Sequence, residues 1–354
     1  MKIGLCTGGG DCPGLNAVIR GVVKAASQHP GVEIIGIRDG LNGLIHRPLR
    51  AHPLTLDGVQ DILHRGGTIL GTCNQGGNPY ESDQRDMHLR NTLEGIKTLG
   101  LDALLVVGGE GTQGMAKTLV DQGVPVVGIP KTIDNDLPGT DQTIGFSSCV
   151  DVVADAVFKL RSTAESHDRV MVLEVMGRDS GYIALHGGLA GGAHVILMPE
   201  IPFSYEAICQ TIQRRKQLGR NFSLVVVSEG AYEDAASPYY GGNTTGVKNL
   251  GGIGSIVART LFEKTQMDTR YTVLGHLQRG GMPSAWDRIL ASRFAVHAID
   301  LVLQKKFGHV VALHGSTLTQ VPYAQITSFH RQKVDLTSDL VHTAEGTGVC
   351  LGRL

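Results

Sequence analysis

Residues 2–16 decide the fold class, and they read Lys2-Ile3-Gly4-Leu5-Cys6-Thr7-Gly8-Gly9-Gly10-Asp11-Cys12-Pro13-Gly14-Leu15-Asn16. Their apolar start predicts a strand over 2–6, their glycines predict a tight turn, and the following residues predict a helix over 16–27. A turn of this kind presents backbone N–H groups and a helix N-terminus, which together bind anions. The glycines do not form Gly-x-Gly-x-x-Gly, and the chain lacks a Gly-Lys dipeptide, so there is no Walker A loop. A purely structural strand-to-helix turn is the alternative interpretation.

Short apolar runs alternate with helical stretches along the rest of the chain. Further strands are predicted at 33–37, 103–107, 124–129, 169–175, 195–198, 224–227, 271–274 and 310–313, and further helices at 83–99, 112–122, 150–163, 205–218, 253–264 and 285–304. Nearly continuous apolar strands separated by helices are typical of parallel sheets covered on both faces. We therefore predict an α/β fold with two Rossmann-like, three-layer α/β/α domains. Residues 231–252 are expected to form an exposed loop, and the tail beyond 337 is weakly patterned.

Composition excludes several classes of function. The chain has 32 Lys and Arg against 33 Asp and Glu, with no basic block, which argues against nucleic acid and an anionic membrane as partners. No apolar run is long enough to span a bilayer, and no signal-peptide pattern is present. Six scattered cysteines without a Cys-x-x-Cys pair indicate a reducing compartment, the cytoplasm, and no zinc site.

Glycine is the abnormal component. The chain has 48 glycines among 354 residues, about twice the usual usage. They lack the period of three that collagen requires. They cluster at the ends of apolar runs, where the backbone must turn tightly or approach a ligand.

A second glycine-rich turn, Gly108-Gly109-Glu110-Gly111-Thr112, follows the predicted strand at 103–107. A carboxylate among glycines at a strand end can hold a magnesium–phosphate unit. Alternatively, Thr112 merely caps a helix. The turn resembles the Gly-Gly-Asp-Gly-Ser/Thr of the phosphofructokinases and of the NAD and lipid kinases. Here Glu110, which reaches one methylene further, replaces the usual aspartate.

A third polar segment, Pro130-Lys131-Thr132-Ile133-Asp134-Asn135-Asp136, also follows a predicted strand. Two carboxylates held close can divide labour: one accepts a proton from a substrate hydroxyl, and the other orients the substrate or binds metal. An Asx-rich turn is the alternative. These aspartates follow an apolar strand, and two other turns of a phosphate-binding type occur in the chain. Together these observations favour a catalytic role over a purely structural turn.

Four motifs together resemble the 6-phosphofructokinases, from about residue 2 to about residue 313. They are the opening Gly-Gly-Asp-x-Pro-Gly-x-Asn, Thr132-Ile133-Asp134-Asn135-Asp136, Met176-Gly177-Arg178 and Gly275-His276-Leu277-Gln278-Arg279-Gly280-Gly281. The resemblance implies a glycolytic enzyme that makes fructose 1,6-bisphosphate from fructose 6-phosphate with ATP and Mg²⁺. It also implies a larger donor-binding domain (1–145 plus about 278–330) and a smaller sugar-phosphate domain (about 146–277 plus the C-terminal tail).

The resemblance assigns the catalytic roles. Asp134 is the base for the sugar 1-hydroxyl, and Thr132 and Asp136 position the sugar and the transferring phosphoryl group. Arg178 stabilises that group, for which a planar guanidinium is better suited than an ammonium. Glu110 is the expected magnesium ligand, with Asp136 as a second candidate.

The resemblance also supplies the substrate contacts. The sugar-phosphate residues would be Arg169, Met176, Gly177, Glu229, Arg270, His276 and Arg279, and the donor residues would be Gly10, Gly109, Gly111, Thr112, Asn74 and Lys131. His276 and Arg279 would hold the 6-phosphate, and Glu229 would accept sugar hydroxyls. Arg169 and Arg270 would come from a neighbouring subunit, which implies a closed oligomer, a homotetramer or alternatively a dimer.

The phosphoryl donor depends on two positions. Gly111 leaves room beside the nucleotide α-phosphate, where pyrophosphate enzymes of the family usually have an obstructing aspartate. Lys131 is typical of pyrophosphate enzymes but also occurs in ATP-using branches. We therefore expect ATP, with pyrophosphate as the alternative. Asn74 replaces an arginine that contacts nucleotide phosphates in bacterial ATP enzymes, and Lys131 is hypothesised to compensate for the weaker amide.

Two other functions explain the motifs less well. An NAD- or lipid-type kinase does not explain His276 and Arg279, and a non-catalytic sensor on the same scaffold predicts loss of acids that are present. An allosteric pocket is suggested by four basic residues that match the bacterial effector site, Arg20, Lys24, Arg161 and Arg220, although solvated helix-face charge explains them equally well. Leu54 and His194 depart from that site, so any effector is expected to differ.

Overall fold

The computed structural model describes residues 1–73, 78–233, 240–241, 249–250, 252–326 and 331–353. It divides into two compact units, each assembled from separate stretches of the chain. The first comprises Met1–Ser148 and Arg279–His330, and the second comprises Cys149–Gln278 and Arg331–Leu354. Each unit contains its own sheet and helices, which confirms the predicted fold class of two α/β domains.

Strands and helices alternate along most of the chain. The strands are β1 (Lys2–Thr7), β2 (Glu33–Ile37), β3 (Ala51–Leu54), β4 (Ala103–Gly108), β5 (Val126–Pro130), β6 (Val170–Val175), β7 (Val195–Leu197), β8 (Ser223–Ser228), β9 (Tyr240–Gly241), β10 (Asn249–Leu250), β11 (Thr269–Val273), β12 (His309–His314) and β13 (Thr317–Pro322). The α-helices are α1 (Leu15–Ala26), α2 (Asn42–Ile45), α3 (Arg85–Leu99), α4 (Glu110–Asp121), α5 (Phe146–Ser166), α6 (Tyr182–Gly191), α7 (Tyr205–Gln217), α8 (Ile253–Thr265), α9 (Ala285–Leu303) and α10 (Asp339–Gly346). Short 3₁₀ helices occur at Asp57–Val59, Pro79–Glu81, Gly275–Arg279 and Tyr323–Gln325.

The first unit contains a seven-stranded sheet in the order β13-β12-β5-β4-β1-β2-β3. Its inner pairs are parallel, and the edge strands β3 and β13 run antiparallel to their neighbours. Every residue of β4 is buried, which explains why the strand is apolar throughout. The chain leaves β1 for β2 on one side and returns as β4 on the other. The topological switch point, where ligands bind in such sheets, therefore lies between β1 and β4.

The second unit contains a four-stranded parallel sheet in the order β11-β6-β8-β7. The C-terminal tail extends it beyond β7, because the Ile196 amide donates to the Cys350 carbonyl at 2.9 Å and the Cys350 amide donates to the His194 carbonyl at 3.0 Å. The tail is only weakly patterned in the sequence, yet it covers an otherwise open strand edge.

Helix α6 was not predicted, because its residues are apolar all round and include glycines, so it shows no amphipathic period. The glycines allow close packing. A Cβ at Gly187 would lie 2.5 Å from the Val153 side chain, and one at Gly188 would lie 2.8 Å from Ile196. The strands β3 and β13 were also missed. In the predicted loop at 231–252, β9 and β10 pair antiparallel, and residues 234–239, 242–248 and 251 lie outside the described part.

Two composition-based expectations can be compared with the structure. Among the described residues, no helix is both long and apolar enough to cross a membrane. All six cysteines are free thiols, and burial raises the pKa of Cys6 and of Cys12 to about 12. These two thiols therefore serve as packing groups rather than as nucleophiles.

A buried carboxylate fixes the start of α5 in the first unit. Asp287, on α9, is fully buried and accepts hydrogen bonds from the Gly145 amide at 3.0 Å and from the Ser148 amide and hydroxyl at 2.8 and 2.6 Å. Helix N-termini leave backbone N–H groups without intrahelical partners. Asp287 thus satisfies donors of α5 from another helix.

We expect Asp287→Ala to lower the melting temperature clearly, because it leaves buried donors unsatisfied at a cost of about 1–3 kcal/mol. Thermal unfolding followed by circular dichroism measures the effect. The matched control is Asp155→Ala, which removes an exposed ion pair with Lys159 on α5. That control is expected to change stability by less than about 0.5 kcal/mol. Equal melting temperatures for the two variants would contradict the proposed capping role.

Candidate active site

Three polar segments of the first unit meet at one edge of its sheet. Residues 8–14 follow β1, residues 108–112 end β4 and begin α4, and residues 130–136 end β5 and continue beyond it. These strands are neighbours in the order β5-β4-β1, and they run parallel. The carboxyl ends of parallel neighbours lie at the same edge of a sheet, so the fold brings the three motifs together at the switch point.

Thr112 packs the first two turns against each other. Its side chain is buried and occupies the space beside Gly8 and Gly108. A Cβ at Gly8 would lie 2.7 Å from the Thr112 Cγ2, and one at Gly108 would overlap the Thr112 Cβ. These two glycines are therefore required by packing within the protein. Gly109 is less restricted, since a Cβ there would lie 3.2 Å from the Lys131 carbonyl.

Gly111 differs from these neighbours. It is exposed, a Cβ there would meet no atom within 4 Å, and its φ is not positive. Neither packing nor backbone conformation requires glycine at this position. The absent side chain leaves free space beside the turn, where a ligand can approach.

Arg279 belongs to the same edge. Its guanidinium donates to the Asp11 carbonyl at 3.1 Å, and a Cβ at Gly10 would lie 2.7 Å from its Nη1. The sequence grouped Arg279 with His276 as contacts of the 6-phosphate. The structure places the Arg279 side chain against the first glycine turn, in the first unit, whereas His276 belongs to the second unit and is exposed.

The ammonium group of Lys131 is enclosed by the glycine turn that follows β1. Its side chain is only 3% exposed, and its Nζ donates to the Gly10 carbonyl at 2.5 Å. Burial lowers the pKa of Lys131, and the nearby Asp11 and Asp134 carboxylates oppose that effect. A buried cation beside backbone amides is suited to phosphate oxygens.

Asn135 shapes the acidic segment. Its φ is +52°, its Oδ1 accepts from the Thr143 amide at 2.8 Å, and its Nδ2 donates to the Asp141 carbonyl at 3.0 Å. This left-handed residue separates a half-buried Asp134 from a buried Asp136. The Asp134 amide also donates to the Thr132 hydroxyl at 3.1 Å. The two aspartates thus have different environments, as a division of roles requires.

A cleft of about 190 Å³ extends from the glycine turns within the first unit. It begins at Gly8 and Thr112 and continues along apolar side chains of Leu41, Ile45 and Met115. Its polar lining includes Asp39, Asn42, His46, Ser82 and His88. Nothing in the sequence indicated this cleft, because apart from Gly8 and Thr112 its lining comes from segments without a motif. Asn74 lies outside the described residues, although its neighbour Cys73 lines the cleft.

Hydrogen bonds of Asn16 and Thr72 hold the loop that runs from Arg65 to Cys73 and ends beside this cleft. The Asn16 side chain donates to the Arg65 carbonyl at 3.1 Å and accepts from the Ile69 amide at 2.8 Å. The Thr72 hydroxyl donates to the Gly9 carbonyl at 2.5 Å. Asn16 was visible in the opening motif, but its partners are about 50 residues away, so its role could not be read from the sequence.

The second unit gathers another group of residues at the carboxyl edge of its sheet. Met176, Gly177 and Arg178 follow β6, Glu229 follows β8 and His276 follows β11, and these strands are neighbours. Gly177 has a φ of +128°, and its carbonyl accepts from the Ser228 hydroxyl at 2.5 Å and from the Gly230 amide at 3.1 Å.

The segments of Arg178 and Glu229 are therefore fastened side by side. A Cβ at Gly230 would overlap the Arg178 carbonyl, so only glycine allows this approach of the two backbones. The Arg178 side chain is exposed, and Glu229 is half-buried. Sequence reasoning missed Ser228 and Gly230, since neither belongs to a motif.

Arg169 and Arg270 lie at the opposite end of the same sheet, where its strands begin. Arg169 directly precedes β6, and Arg270 is the second residue of β11. Both pair with Asp268, Arg169 through its Nε at 2.5 Å and Arg270 through its Nη1. The six residues of β6 separate Arg169 from Met176, roughly 20 Å at the usual rise per residue of a strand. The structure therefore does not bring these two arginines to the Met176 edge of their own chain.

The donor set fits a magnesium ion held partly by phosphate. No group of three or more His, Cys, Asp or Glu side chains could hold a metal among the residues that the structure describes. Mg²⁺ in phosphoryl-transfer sites typically uses one or two carboxylates together with phosphate oxygens and water. Glu110, in the first turn of α4, and the buried Asp136 supply carboxylates of that kind.

The residues expected at an effector pocket are divided between the units. Arg20 and Lys24 lie on α1, and Leu54 ends β3. In the second unit the Arg161 guanidinium lies 5.7 Å from the centre of the Phe222 ring.

Burial lowers the pKa of His194 to about 3, and the nearby Arg215 and Arg161 add to that effect. His194 is therefore neutral at physiological pH, and it cannot replace a carboxylate electrostatically.

Comparison with known proteins identifies the family. The phosphofructokinase family model matches residues 2–302. The chain belongs to the phosphofructokinase family. Over 356 residues it is 48% identical to the ATP-dependent 6-phosphofructokinase of Chloroflexus aurantiacus, covering 99% of this chain and 98% of that protein. Over 334 residues it is also 48% identical to the pyrophosphate–fructose 6-phosphate 1-phosphotransferase of Amycolatopsis methanolica, covering 93% and 95%.

A solved phosphofructokinase has the same fold. The T-state structure of Pichia pastoris phosphofructokinase superposes with a TM-score of 0.82 at 29% identity. It covers 98% of this chain, which spans 37% of that longer chain. The resemblance drawn from the four motifs is thus confirmed, and so is the fold class that it implied.

The lowered pKa of Lys131 predicts a pH effect on this phosphofructokinase. Its ammonium is charged below its pKa, which burial moves below the ordinary 10.5. We expect KM for the phosphoryl donor to rise with pH on the alkaline side, below pH 10.5, because a neutral amine no longer attracts phosphate. Steady-state kinetics from neutral to alkaline pH measures this.

Lys131→Arg should lack that alkaline rise, because a guanidinium stays charged up to about pH 12. Lys117→Arg, at a surface ion pair with Asp121 on α4, is the matched control and should keep the wild-type profile. Identical profiles for wild type and Lys131→Arg would show that Lys131 does not contact the donor.

Proposed function

We propose that the protein transfers the γ-phosphoryl group of ATP to the 1-hydroxyl of fructose 6-phosphate, with Mg²⁺, in glycolysis. The observation that carries the choice of donor is the cleft that continues from Gly8 and Thr112 along Leu41, Ile45 and Met115. A nucleoside attached to the polyphosphate would occupy such a cleft, whereas pyrophosphate has no group to place there.

Gly111 supports the same donor. No protein atom occupies the space beside this position, so a nucleotide α-phosphate would fit there, and a carboxylate would repel it. Relatives that are 48% identical include both ATP-dependent and pyrophosphate-dependent enzymes, so overall similarity does not decide between the donors. Lys131 is compatible with both, because it faces phosphate in either case. The pyrophosphate-dependent reaction is the second candidate.

The donor end of the reaction is proposed to use the first unit. The amides of the glycine turns, together with Gly10, Gly109 and Thr112, would bind the polyphosphate, and Lys131 would neutralise its charge. Glu110, with Asp136, would hold Mg²⁺, which when bound would neutralise charge on the phosphates.

The chemical step is proposed to depend on Asp134. As the bond from the sugar O1 to phosphorus forms and the bond from phosphorus to the ADP oxygen breaks, the Asp134 carboxylate accepts the hydroxyl proton. Thr132 and Asp136 position the reacting groups, and Arg178 stabilises the charge on the transferring oxygens. In a loose transition state such positioning contributes more than proton abstraction.

The sugar phosphate is proposed to bind through residues of the second unit, with Arg279. Met176, Gly177 and Glu229 would contact the sugar, and His276 and Arg279 the 6-phosphate. The fastening of the Gly177 and Glu229 segments to each other supports this grouping.

Oligomerisation and location are part of the proposal. Arg169 and Arg270 lie at the far edge of their own sheet, which supports their use by a neighbouring subunit in a homotetramer or a dimer. Six free thiols support a reducing, cytoplasmic location. No nucleic-acid or membrane partner is expected.

The donor assignment is tested by comparing kcat/KM for ATP and for pyrophosphate in a coupled assay. We expect ATP to be favoured by about 10-fold or more, a difference of ~1.4 kcal/mol. Gly111→Asp should reduce the use of ATP far more than the use of pyrophosphate. Gly114→Asp, one turn later on α4 and equally free of neighbours, is the control and should keep the wild-type preference. A wild-type preference for pyrophosphate would overturn the choice of ATP.

The role of Asp134 is tested by Asp134→Asn. We expect turnover to fall by about 10²–10⁴-fold, the usual contribution of a general base. Binding of fructose 6-phosphate, measured by isothermal titration calorimetry, should remain within about threefold, because the amide preserves the shape of the side chain. Asp121→Asn, at the surface of α4, should keep full activity. Substantial turnover by Asp134→Asn would exclude the proposed base.

A further inference from the structure

Gln278 is a buried amide inside the sugar-phosphate motif of the second unit. It is 0% exposed, although its neighbours His276 and Leu277 are exposed on the same 3₁₀ helix, Gly275–Arg279. No substrate contact has been assigned to it. A fully buried amide must find hydrogen-bond partners within the protein.

Its partners come from three separate segments of the chain. The Gln278 Oε1 accepts from the Met176 amide at 3.2 Å and from the Cys149 thiol on α5 at 3.8 Å. Its Nε2 donates to the Gly275 carbonyl at 3.0 Å. One side chain thus ties the loop after β6 to the 3₁₀ helix after β11.

The sheet itself does not make that connection. The β6–β11 ladder ends at the pair Glu174 and Val273, with one more bond from the Leu274 amide to the Glu174 carbonyl. Beyond it, both chains leave the sheet toward Met176 and His276. The hydrogen bond between Met176 and Gln278 therefore connects the two chains beyond the end of the ladder. It joins the two segments that carry the proposed sugar-phosphate contacts.

The hydrogen bonds to Met176 and Gly275 require an amide side chain at position 278. Glutamine accepts at one atom and donates at the other, which matches a backbone N–H on one side and a backbone carbonyl on the other. An ionised glutamate would accept from Met176 but would repel the Gly275 carbonyl. Methionine has a similar size and offers neither bond.

We infer that Gln278 is a positioning residue for fructose 6-phosphate, which sets the separation of the Met176 loop from the His276 helix. This inference rests on the proposed function. Gln278 does not touch the substrate; it acts through the Met176 backbone and through the turn that carries His276. Its effect should appear in sugar-phosphate binding and leave donor binding nearly unchanged.

Gln278→Met tests the inference in the full-length protein. We expect Kd for fructose 6-phosphate, by calorimetry, and its KM to rise about 10-fold, as expected for loss of a buried hydrogen bond. KM for ATP should stay within about twofold. Gln113→Met is the matched control. Gln113 is an equally buried glutamine whose Nε2 binds the carbonyls of Val106, Gly108 and Ile129 in the first unit. It should lower the melting temperature without raising KM for the sugar phosphate beyond about twofold.

Gln278→Glu supplies a second readout that does not depend on the methionine variant folding. A protonated carboxyl restores both bonds, since its O–H donates to Gly275 and its carbonyl accepts from Met176. Burial favours that neutral form. The ratio of KM for fructose 6-phosphate in Gln278→Glu to that in wild type should therefore fall as pH is lowered from about 9 to about 6, a range that brackets a raised carboxyl pKa.

The outcomes separate the inference from the function on which it rests. A wild-type protein that neither binds nor phosphorylates fructose 6-phosphate overturns both. If wild type is active, the inference is overturned by an unchanged sugar-phosphate KM in Gln278→Met, by equal rises in both KM values, or by a pH-independent ratio in Gln278→Glu. A selective rise with rescue at low pH establishes the positioning role.

Discussion

The packing of one threonine joins the two phosphate-type turns of the first unit. Thr112 is buried against Gly8 and Gly108, where any side chain would overlap it. This contact fixes the turn after β1 against the turn after β4 at the switch point of the sheet. Lys131 then fastens the end of β5 to the same turn through the Gly10 carbonyl. The ends of β1, β4 and β5 thus form a single packed assembly that is held by contacts within the protein.

The glycines of this edge serve different physical ends. Gly8 and Gly108 make room for Thr112, and Gly10 makes room for the Arg279 guanidinium. Among the described glycines of the turns after β1 and β4, Gly111 is the one beside which the protein leaves open space. The excess of glycine therefore cannot be interpreted as a count of ligand contacts, because most of these positions are required for close approach within the chain. A position where packing does not need glycine is more informative about the ligand.

In the second unit, side-chain hydrogen bonds hold the loops that follow the strands. Loops that leave a sheet lose the backbone ladder that held them, and other groups must set their separation. Ser228 holds the Gly177 carbonyl, and Gln278 holds the Met176 amide. Asp268 does the same at the opposite edge, where it holds Arg169 beside Arg270. These contacts hold the two arginines and the two loops in place within the second unit.

The sequence alone determined the alternation of strands and helices, the places of the glycine turns, and the pair of aspartates around Asn135. These properties depend on local periodicity and on turn chemistry, which neighbouring residues specify. It did not reveal α6, whose glycines make sense only against Val153 and Ile196, or the cleft along Leu41 and Met115. Nor could it show that Arg279 lies on the Asp11 turn, or that the tail completes the sheet at β7. Contacts between residues far apart in the chain depend on strand order and on shape, and only the tertiary structure decides these.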